Sequence, residues 1–344
     1  MKHWFILNPS AGRRRTAALE EGIHAACRGS GVDYEIHETR FPGEGEAFVR
    51  ARRLEPGARC FACGGDGTLN EVVNGVVGEG AGGGSVLPDA DGLPGAGGAA
   101  ELPGVGAAEI GCIPMGTGND FVRNFTGRDF RDLTAQIRGE SVPCDLIAYE
   151  AACGERTLSR FCVNMFNIGF DCNVVDTTDR IKKLPLVGGT PAYLASIAFM
   201  LVRKKGANLR IRNGDGFTYE GKLLLLAVAN GCFCGGGIKG MPRARTDDGC
   251  MDVSLIRDVP RRMFVQLFPK YMKGTHLEEP RLKEIIRYTK EKAMEVAPLD
   301  GTMRVCVDGE VMSAEGIRME IRPKAFRFIL PGAEQFTSPG AESY

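Results

Sequence analysis

The sequence lacks a net charge, since its 43 Lys and Arg residues balance 43 Asp and Glu residues. Without a positive field over the whole molecule, nucleic acid is a poor candidate partner, and any attraction to phosphate or membrane must come from local clusters. The apolar fraction of 43% and the charged fraction of 25% are typical of a globular protein. A length of 344 residues favours two domains.

Long apolar segments are also missing. The most apolar stretch, 184–202, is interrupted by Pro185, Pro191 and the pair Gly188-Gly189. It therefore lacks the run of about 20 apolar residues that a transmembrane helix needs. The first residues do not show the pattern of a signal peptide, and the cysteines are scattered. These features predict a cytoplasmic protein with reduced thiols.

A complete metal-binding cysteine motif is absent as well. The twelve cysteines include one CxxC, formed by Cys60 and Cys63, and no second pair that would complete four ligands. Both thiols fall in a predicted strand, where positions i and i+3 face opposite sides. We interpret them as small buried apolar residues.

The pattern of predicted elements changes after about residue 140. Before that point strands at 3–7, 34–39, 59–63 and 109–113 alternate with helices at 16–28, 44–54, 68–77 and 130–138. This alternation predicts an α/β domain with a parallel sheet. Afterwards strands follow one another at 145–151, 157–168, 223–229, 251–256, 304–307 and 316–321, with helical inserts at about 193–205 and 262–273. That order predicts a mainly antiparallel second domain, and the run 326–330 could close either one.

Residues 78–106 are dominated by Gly, Ala and Pro. With almost no large apolar side chains, this segment cannot bury enough surface to offset its ordering entropy, so we predict a flexible surface insertion. An inert expanded loop is the favoured interpretation, and a lid over a nucleotide is the alternative.

Three glycine-rich turns are predicted to follow strands. They are 8–12 (NPSAG), 64–68 (GGDGT) and 116–119 (GTGN). Because the carboxyl ends of parallel strands meet at one edge of a sheet, the turns should converge on one crevice, where backbone N–H groups suit a phosphate. Each turn alone could simply connect a strand to a helix, but three together favour a nucleotide site.

The side chains of these turns favour phosphate chemistry. Thr68 and Thr117 carry hydroxyl groups, and Asp66 or Asp120 could hold Mg²⁺, whose charge would offset that of the phosphates. The sequence GxxxxGK[ST], with its phosphate-binding lysine, is missing. Phosphate charge would therefore be met by backbone, metal and the arginines at 13–15.

Taken in order, these motifs resemble the catalytic domain of diacylglycerol kinases and their bacterial lipid-kinase relatives. The resemblance covers nearly the whole chain, and the segments that carry it are 8–12, 64–75, 114–121, 167–171, 235–237, 241–252 and 307–310. It departs from the family pattern at Cys250-Met251, where two aliphatic residues are usual, and in the length of the insertion.

The resemblance implies a fold and an activity. The fold would be an α/β ATP-binding domain, 1–140 plus a final strand at about 325–344, and a C-terminal antiparallel β-sandwich lipid-substrate domain, 141–324. The activity would be transfer of a phosphoryl group from MgATP to a lipid hydroxyl, with diacylglycerol as the leading acceptor. We expect the acceptor at the inner face of a membrane, with peripheral contact, and the sequence leaves a homodimer open.

The resemblance also implies the site residues. Nucleotide contacts would come from Asn8, Pro9, Ser10, Ala11, Gly12, Thr39, Gly64, Gly65, Asp66, Gly67, Thr68, Leu69, Asn70, Gly116, Thr117, Gly118 and Asn119. Structural Mg²⁺ would be held by Asp248 and by backbone carbonyls of Arg245 and Cys250. The proton acceptor would be Glu310, with Asp308 and Asp66 as further catalytic candidates.

Three alternatives stay open. Asp308-Gly309 between apolar strands also has the pattern of an ordinary hairpin turn. The acceptor could be a sphingoid base, another lipid alcohol or NAD, since other kinases also use a Gly-Gly-Asp-Gly turn. The chain could also be a non-catalytic lipid-binding relative. The predicted helix at 193–205, flanked by basic residues at 180–183 and 203–205, could rest on an anionic membrane or simply be a packed helix with solvated ends.

Overall fold

The structure is a computed structural model and describes residues 2–11, 16–78, 108–170 and 206–332. Its first part alternates strands and helices as predicted. The elements are β1 (Lys2–Leu7), α1 (Thr16–Ser30), β2 (Asp33–Glu38), α2 (Glu44–Arg52), β3 (Ala58–Gly64), α3 (Asp66–Val77), β4 (Ala108–Pro114) and α4 (Leu133–Arg138). Helix α4 begins later than predicted, because the Asp132 carboxylate caps it by accepting the Ala135 N–H at 2.9 Å.

The first four strands form a parallel sheet in the order β2-β1-β3-β4. Strands β1, β3 and β4 are mainly buried because helices cover both sides of the sheet, whereas the edge strand β2 has the polar sequence DYEIHE. Phe5 and Phe61 pack in the cluster that includes residues of α1 and α4. Ile6 and Ala62 pack in the cluster that includes residues of α2 and α3. The predicted α/β class is confirmed.

The cysteines of the CxxC pair lie on opposite faces of this sheet, as predicted. Cys60 packs with one cluster and Cys63 with the other, and both are fully buried. Burial raises the pKa of both thiols above the ordinary value, so they stay protonated. The cysteines of the described residues are all free.

The remaining part of the chain is built mainly from strands. These elements are β5 (Glu140–Cys153), β6 (Arg156–Cys162), β7 (Met165–Gly169), β8 (Ala207–Asn213), β9 (Thr218–Ala229), β10 (Met251–Arg257), α5 (Arg261–Lys273), β11 (Ile286–Glu291), β12 (Ala293–Pro298), β13 (Met303–Val307), β14 (Glu310–Ala314) and β15 (Gly316–Leu330). The pairings among these strands are antiparallel, which confirms the predicted class.

Two predicted strand boundaries are wrong. The run 157–168 is two strands, since the chain bends at Val163 and Asn164. Conversely, 316–321 and 326–330 belong to one long strand, β15, with an irregularity between Arg322 and Phe326 where it pairs with β5. Strands β8, β11, β12 and β14 were not predicted.

Strand β15 joins the two parts of the molecule. Arg327 and Phe328 pair in parallel with β4, while the whole strand runs antiparallel to β5 and its first half also pairs with β12. The run 326–330 therefore contacts both the parallel and the antiparallel part. The result is a continuous sheet through both.

Several predictions concern residues outside the described ranges. They are the insertion 78–106 beyond Gly78, the helix at 193–205 with its basic flanks, the arginines at 13–15 and Gly12. Among the helices that the structure does describe, none has the length and apolar character needed to cross a membrane.

Candidate active site

The three glycine-rich turns meet at one edge of the parallel sheet, as expected for the carboxyl ends of β1, β3 and β4. They line a cleft of ≈ 390 Å³. The hairpin between β13 and β14 completes its wall. The lining residues are Ser10, Ala11, Gly65, Asp66, Gly67, Gly116, Thr117, Gly118, Asp308, Gly309 and Glu310.

Two of the turns touch through their glycines. A methyl group added at Gly116 would lie 2.6 Å from the Gly65 Cα atom, so no side chain larger than hydrogen fits without moving a backbone. The Gly64 carbonyl accepts the Met115 N–H at 2.8 Å, which fixes the two turns at this spacing. This edge of the cleft is therefore formed by backbone atoms.

The first turn is anchored to α3 by side chains. The Asn8 amide donates to the Thr68 hydroxyl at 3.0 Å, and the Asn8 side-chain oxygen accepts the Ser10 N–H at 3.0 Å. Thr68 is buried. Asn8 and Thr68 thus hold the turn in place rather than facing the cleft.

Helix α3 starts at the cleft, with Asp66 in its first turn. The Asp66 carboxylate accepts the Asp120 N–H at 2.7 Å and the Phe121 N–H at 3.2 Å. Burial and the nearby Asp120 carboxylate raise the pKa of Asp66 to about 6. Asp120 is buried and Asp66 partly exposed at the cleft. A cation would relieve the repulsion between these two carboxylates, so the pair fits a Mg²⁺ ion that also binds phosphate.

The Asp308-Gly309 pair forms a two-residue hairpin turn, and it also lines the cleft. Val307 pairs with Glu310 across the turn. Both central residues have positive φ, 48° at Asp308 and 95° at Gly309, which is the pattern of a type I′ turn. The motif is therefore a hairpin turn, and its residues also line the cleft.

The Asp308 carboxylate is surrounded by hydrogen-bond donors. It accepts the N–H groups of Val163, Asn164 and Met165 at 2.8, 2.9 and 2.9 Å. The Asn70 amide donates to it at 2.8 Å. These three successive N–H groups explain the bend that divides β6 from β7. With its oxygens occupied, Asp308 is suited to positioning the hairpin.

Glu310 is the exposed carboxylate of this hairpin. Its Oε1 atom lies 3.4 Å from where a methyl group at Gly67 would stand, so it faces the first turn of α3. The partial positive charge at a helix N-terminus stabilises a carboxylate there. Glu310 thus lies in the cleft formed by the glycine turns, beside Gly67, which is more than 200 residues away in sequence.

Some predicted nucleotide contacts lie behind the cleft. Leu69 is buried in the core, and its N–H donates to the Gly65 carbonyl at 3.1 Å. Asn70 donates to the Phe161 carbonyl at 3.1 Å as well as to Asp308. Thr39 is buried at the end of β2, where its N–H donates to the Leu7 carbonyl at 2.8 Å. These residues are not among those that line the cleft, and their contacts with a nucleotide stay predictions.

The third turn is held together by the side chain of Asn119. Asn119 adopts a positive φ of 51°, and its amide donates to the Gly116 carbonyl at 2.7 Å. Pro9 lies in a short 3-10 helix, Pro9–Ala11, that shapes the first turn. Gly12 lies outside the described residues.

The predicted Mg²⁺ loop at 245–250 already contains a cation. The Asp248 carboxylate lies 2.5 Å from the Lys290 Nζ atom, which also contacts Asp252 at 2.9 Å. Partial burial alone would lower the pKa of Lys290, but the contacts with these two carboxylates raise it. The described residues contain no cluster of three or more His, Cys, Asp or Glu that could hold a metal. Lys290 therefore occupies the Asp248 carboxylate in the structure, and the magnesium site at Arg245, Asp248 and Cys250, which would use one carboxylate and two backbone carbonyls, stays a prediction.

Two contributors were not predicted as site residues. The Gly236 N–H donates to the Asp120 carboxylate at 2.9 Å. The Arg123 guanidinium donates to the Gly118 carbonyl at 3.1 Å and lies 3.5 Å from Asp120. The only sequence signal for Gly236 was the run of three glycines at 235–237, and Arg123 had none.

Two family models match most of the chain. The diacylglycerol kinase catalytic domain matches residues 2–149. The YegS C-terminal NAD kinase beta sandwich-like domain matches residues 164–330. The two matches follow each other in the same order as the α/β and antiparallel parts of the structure.

Individual lipid kinases are similar to this chain over nearly its full length. A probable lipid kinase YegS-like protein from Xanthomonas euvesicatoria pv. vesicatoria is 28% identical over 96% of both chains. One from Yersinia enterocolitica is 26% identical over 88% of this chain and 89% of its own. The crystal structure of a diacylglycerol kinase from Bacillus anthracis shares the fold, with a TM-score of 0.61, 19% identity and 96% of each chain covered. The chain belongs to the lipid kinase family that combines a diacylglycerol kinase catalytic domain with a YegS C-terminal domain.

Proposed function

We propose that the protein transfers the γ-phosphoryl group of MgATP to the hydroxyl of a lipid, with Glu310 as the proton acceptor. The observation that carries this proposal is that Glu310 faces the first turn of α3 inside the cleft formed by the three glycine-rich turns. Membership of a kinase family implies ATP as the phosphoryl donor and usually a divalent metal.

The cleft suits phosphate through its backbone. The N-terminus of α3 and the glycines of the second and third turns offer N–H groups without side chains that would block a phosphate. Asp66 and Asp120 would hold Mg²⁺, which when bound would neutralise phosphate charge. Arg123 adds a fixed cation beside Asp120.

Glu310 would orient the acceptor hydroxyl and take its proton as the phosphoryl group is transferred. Its exposure leaves it accessible to a substrate that arrives from outside. Asp308 acts through the hairpin: by binding the bend at Val163 to Met165 it fixes where β14 begins and hence where Glu310 stands.

Diacylglycerol is the proposed acceptor, giving phosphatidic acid. The solved structure with the shared fold is named a diacylglycerol kinase, and the relatives with sequence similarity are named lipid kinases. A sphingoid base, another lipid alcohol and NAD are the competing acceptors. We propose that the enzyme is cytoplasmic and meets its acceptor at the inner face of a membrane. The proposal leaves open whether the enzyme is a homodimer.

The experiment is Glu310→Gln, assayed with labelled ATP, Mg²⁺ and a panel of lipid alcohols in mixed micelles. The amide keeps the shape but cannot accept the proton, so turnover on the preferred lipid should fall by about 100-fold or more. ATP binding, followed with a fluorescent nucleotide analogue, should be unchanged.

The matched control is Glu315→Gln, an exposed glutamate that directly follows β14. It should leave turnover unchanged. Activity of Glu310→Gln close to that of the wild type would remove Glu310 from the mechanism, and phosphorylation of NAD alone would replace the lipid acceptor.

A further inference from the structure

An ion pair joins helix α2 of the parallel part to strand β6 of the antiparallel part. The Arg160 guanidinium donates to the Glu46 carboxylate, and neither residue lines the cleft. The side chain of Glu46 is 10% exposed and that of Arg160 is 29% exposed. Because both ends are largely buried, solvent screens this pair less than a pair on the open surface.

Arg160 also contacts Asn70 of α3. Its Nη2 atom donates to the Asn70 side-chain oxygen at 3.3 Å. The Asn74 amide donates to the same oxygen at 3.1 Å. Because both of these partners are donors, the Asn70 side chain must turn its oxygen toward them and its NH₂ group the other way.

The NH₂ group of Asn70 holds the hairpin that carries Glu310. It donates to the Asp308 carboxylate at 2.8 Å and to the Phe161 carbonyl at 3.1 Å. A cation at the amide oxygen and a carboxylate at the amide NH₂ group polarise the same amide, so each hydrogen bond strengthens the other. Arg160 therefore strengthens the contact that fixes Asp308.

Resting on the lipid kinase function proposed above, we propose that Arg160 is a positioning residue for the proton acceptor. It acts through Asn70 on Asp308. Glu310 follows Asp308 by two residues on the same hairpin, so its place in the cleft depends on this contact. Glu46 anchors the Arg160 guanidinium from the other side. The cleft thus receives its carboxylate through contacts that pass back and forth between the two parts of the molecule.

The test is Arg160→Met, which nearly keeps the length of the side chain and removes every hydrogen-bond donor. We expect kcat on the preferred lipid acceptor to fall about tenfold. A shift of about 1 Å in a reacting group can cost about 100-fold in rate, and Asn74 still holds part of the network. The KM for ATP should change less than about twofold, because the glycine-rich turns are untouched.

The matched control is Arg50→Met. Arg50 donates to the other oxygen of the Glu46 carboxylate at 2.6 Å, from the next turn of α2, and in the described part of the chain it has no contact with Asn70. Each substitution removes one ion pair of Glu46, so a purely structural role of these pairs would lower kcat equally in both. We expect kcat of Arg50→Met to stay within about twofold of the wild type. Arg160→Lys keeps a charged donor and should recover most of the lost kcat.

Hydrogen exchange tests the same contact without any phosphoryl transfer. The three N–H groups at 163–165 donate to the Asp308 carboxylate, so their protection reports on its place. Their exchange should become about tenfold faster in Arg160→Met and stay unchanged in Arg50→Met. If the wild type phosphorylated no lipid, the kinase proposal would fail, and the exchange rates alone would decide whether Arg160 holds the hairpin.

Three outcomes would overturn the inference while the kinase proposal stands. The first is that kcat and exchange in Arg160→Met equal those of the wild type. The second is that Arg160→Met and Arg50→Met lose kcat equally. The third is faster exchange with unchanged kcat, because the hairpin would then move without effect on the reaction. Circular dichroism checks that each variant is folded, and if Arg160→Met is not, Arg160→Gln takes its place with the same expectations.

Discussion

At the scale of single residues, His276 shows how burial sets charge. It is 1% exposed, and burial lowers its pKa to about 4 from an ordinary 6.5. In the unfolded chain the ring would bind a proton near pH 6.5, whereas the folded protein holds it neutral down to about pH 4. The free energy of unfolding should therefore fall as the pH drops through this window.

We predict that His276→Asn removes part of this acid sensitivity. Between pH 7 and pH 4 the wild type should lose up to about 3 kcal/mol of stability from this group alone, at about 1.4 kcal/mol per unit of pKa. The measurement is urea unfolding at several pH values for both proteins. Parallel pH profiles for wild type and His276→Asn would contradict the assignment.

Some residues of the site could be predicted from the sequence and others could not. The GGDGT run indicated which backbone lines the cleft because it follows a predicted parallel strand, as two other glycine-rich turns do, and such turns meet at one edge of the sheet. It could not show that Asn70 turns toward the antiparallel part, since its partners Phe161 and Asp308 are distant in sequence. Lys290 gave no signal either, because a lysine on an alternating strand normally faces solvent.

At the scale of elements, the approach of the second and third glycine turns carries a prediction. Gly116→Ala would place a methyl group 2.6 Å from the Gly65 Cα atom, so the turns must separate. We expect a loss of about 1–3 kcal/mol in stability, as for overpacking, and weaker ATP binding. Thermal unfolding and titration with a fluorescent nucleotide analogue measure the two effects.

Gly29→Ala in α1 is the matched control for this substitution. An added methyl group there meets nothing within 4 Å, and alanine favours a helix. It should leave ATP binding unchanged and stability equal or slightly higher. If Gly116→Ala bound ATP as tightly as the wild type, the contact between the turns would not be needed for the site.

The helices and parallel strands were predictable because their periodicity is strong and both faces of the sheet are apolar. The missed strands are of another kind. β8 alternates apolar with polar or charged side chains, and β12 (AMEVAP) and β14 (EVMSA) each contain a glutamate and only one β-branched residue. Such strands are defined by the neighbours with which they pair, which lie far away in the chain.

At the scale of the whole molecule, β15 makes the two parts mutually dependent. It pairs in parallel with β4 and antiparallel with β5 and β12. Phe328, which is fully buried, packs against Phe121, Phe125 and Phe130 at the point where the parts meet. Unfolding one part would expose this strand and its aromatic cluster.

We therefore predict that both parts unfold in one cooperative transition. The single tryptophan, Trp4, packs on Phe48 in the parallel part and reports on it alone. Hydrogen exchange of β9 and β10 reports on the antiparallel part. The urea midpoint of Trp4 fluorescence should coincide with the midpoint for loss of protection in these strands. Fluorescence that changes at clearly lower urea would show two independent units.

The link from Asn70 to Asp308 has a consequence for selectivity. Because folding alone sets the hairpin against α3, Glu310 stands ready in the cleft before any acceptor arrives. As the proposed proton acceptor, Glu310 cannot by itself distinguish a lipid hydroxyl from water, since either can approach it. Discrimination against futile ATP hydrolysis would then fall to the apolar tail, which holds one hydroxyl in place long enough to react while water exchanges freely.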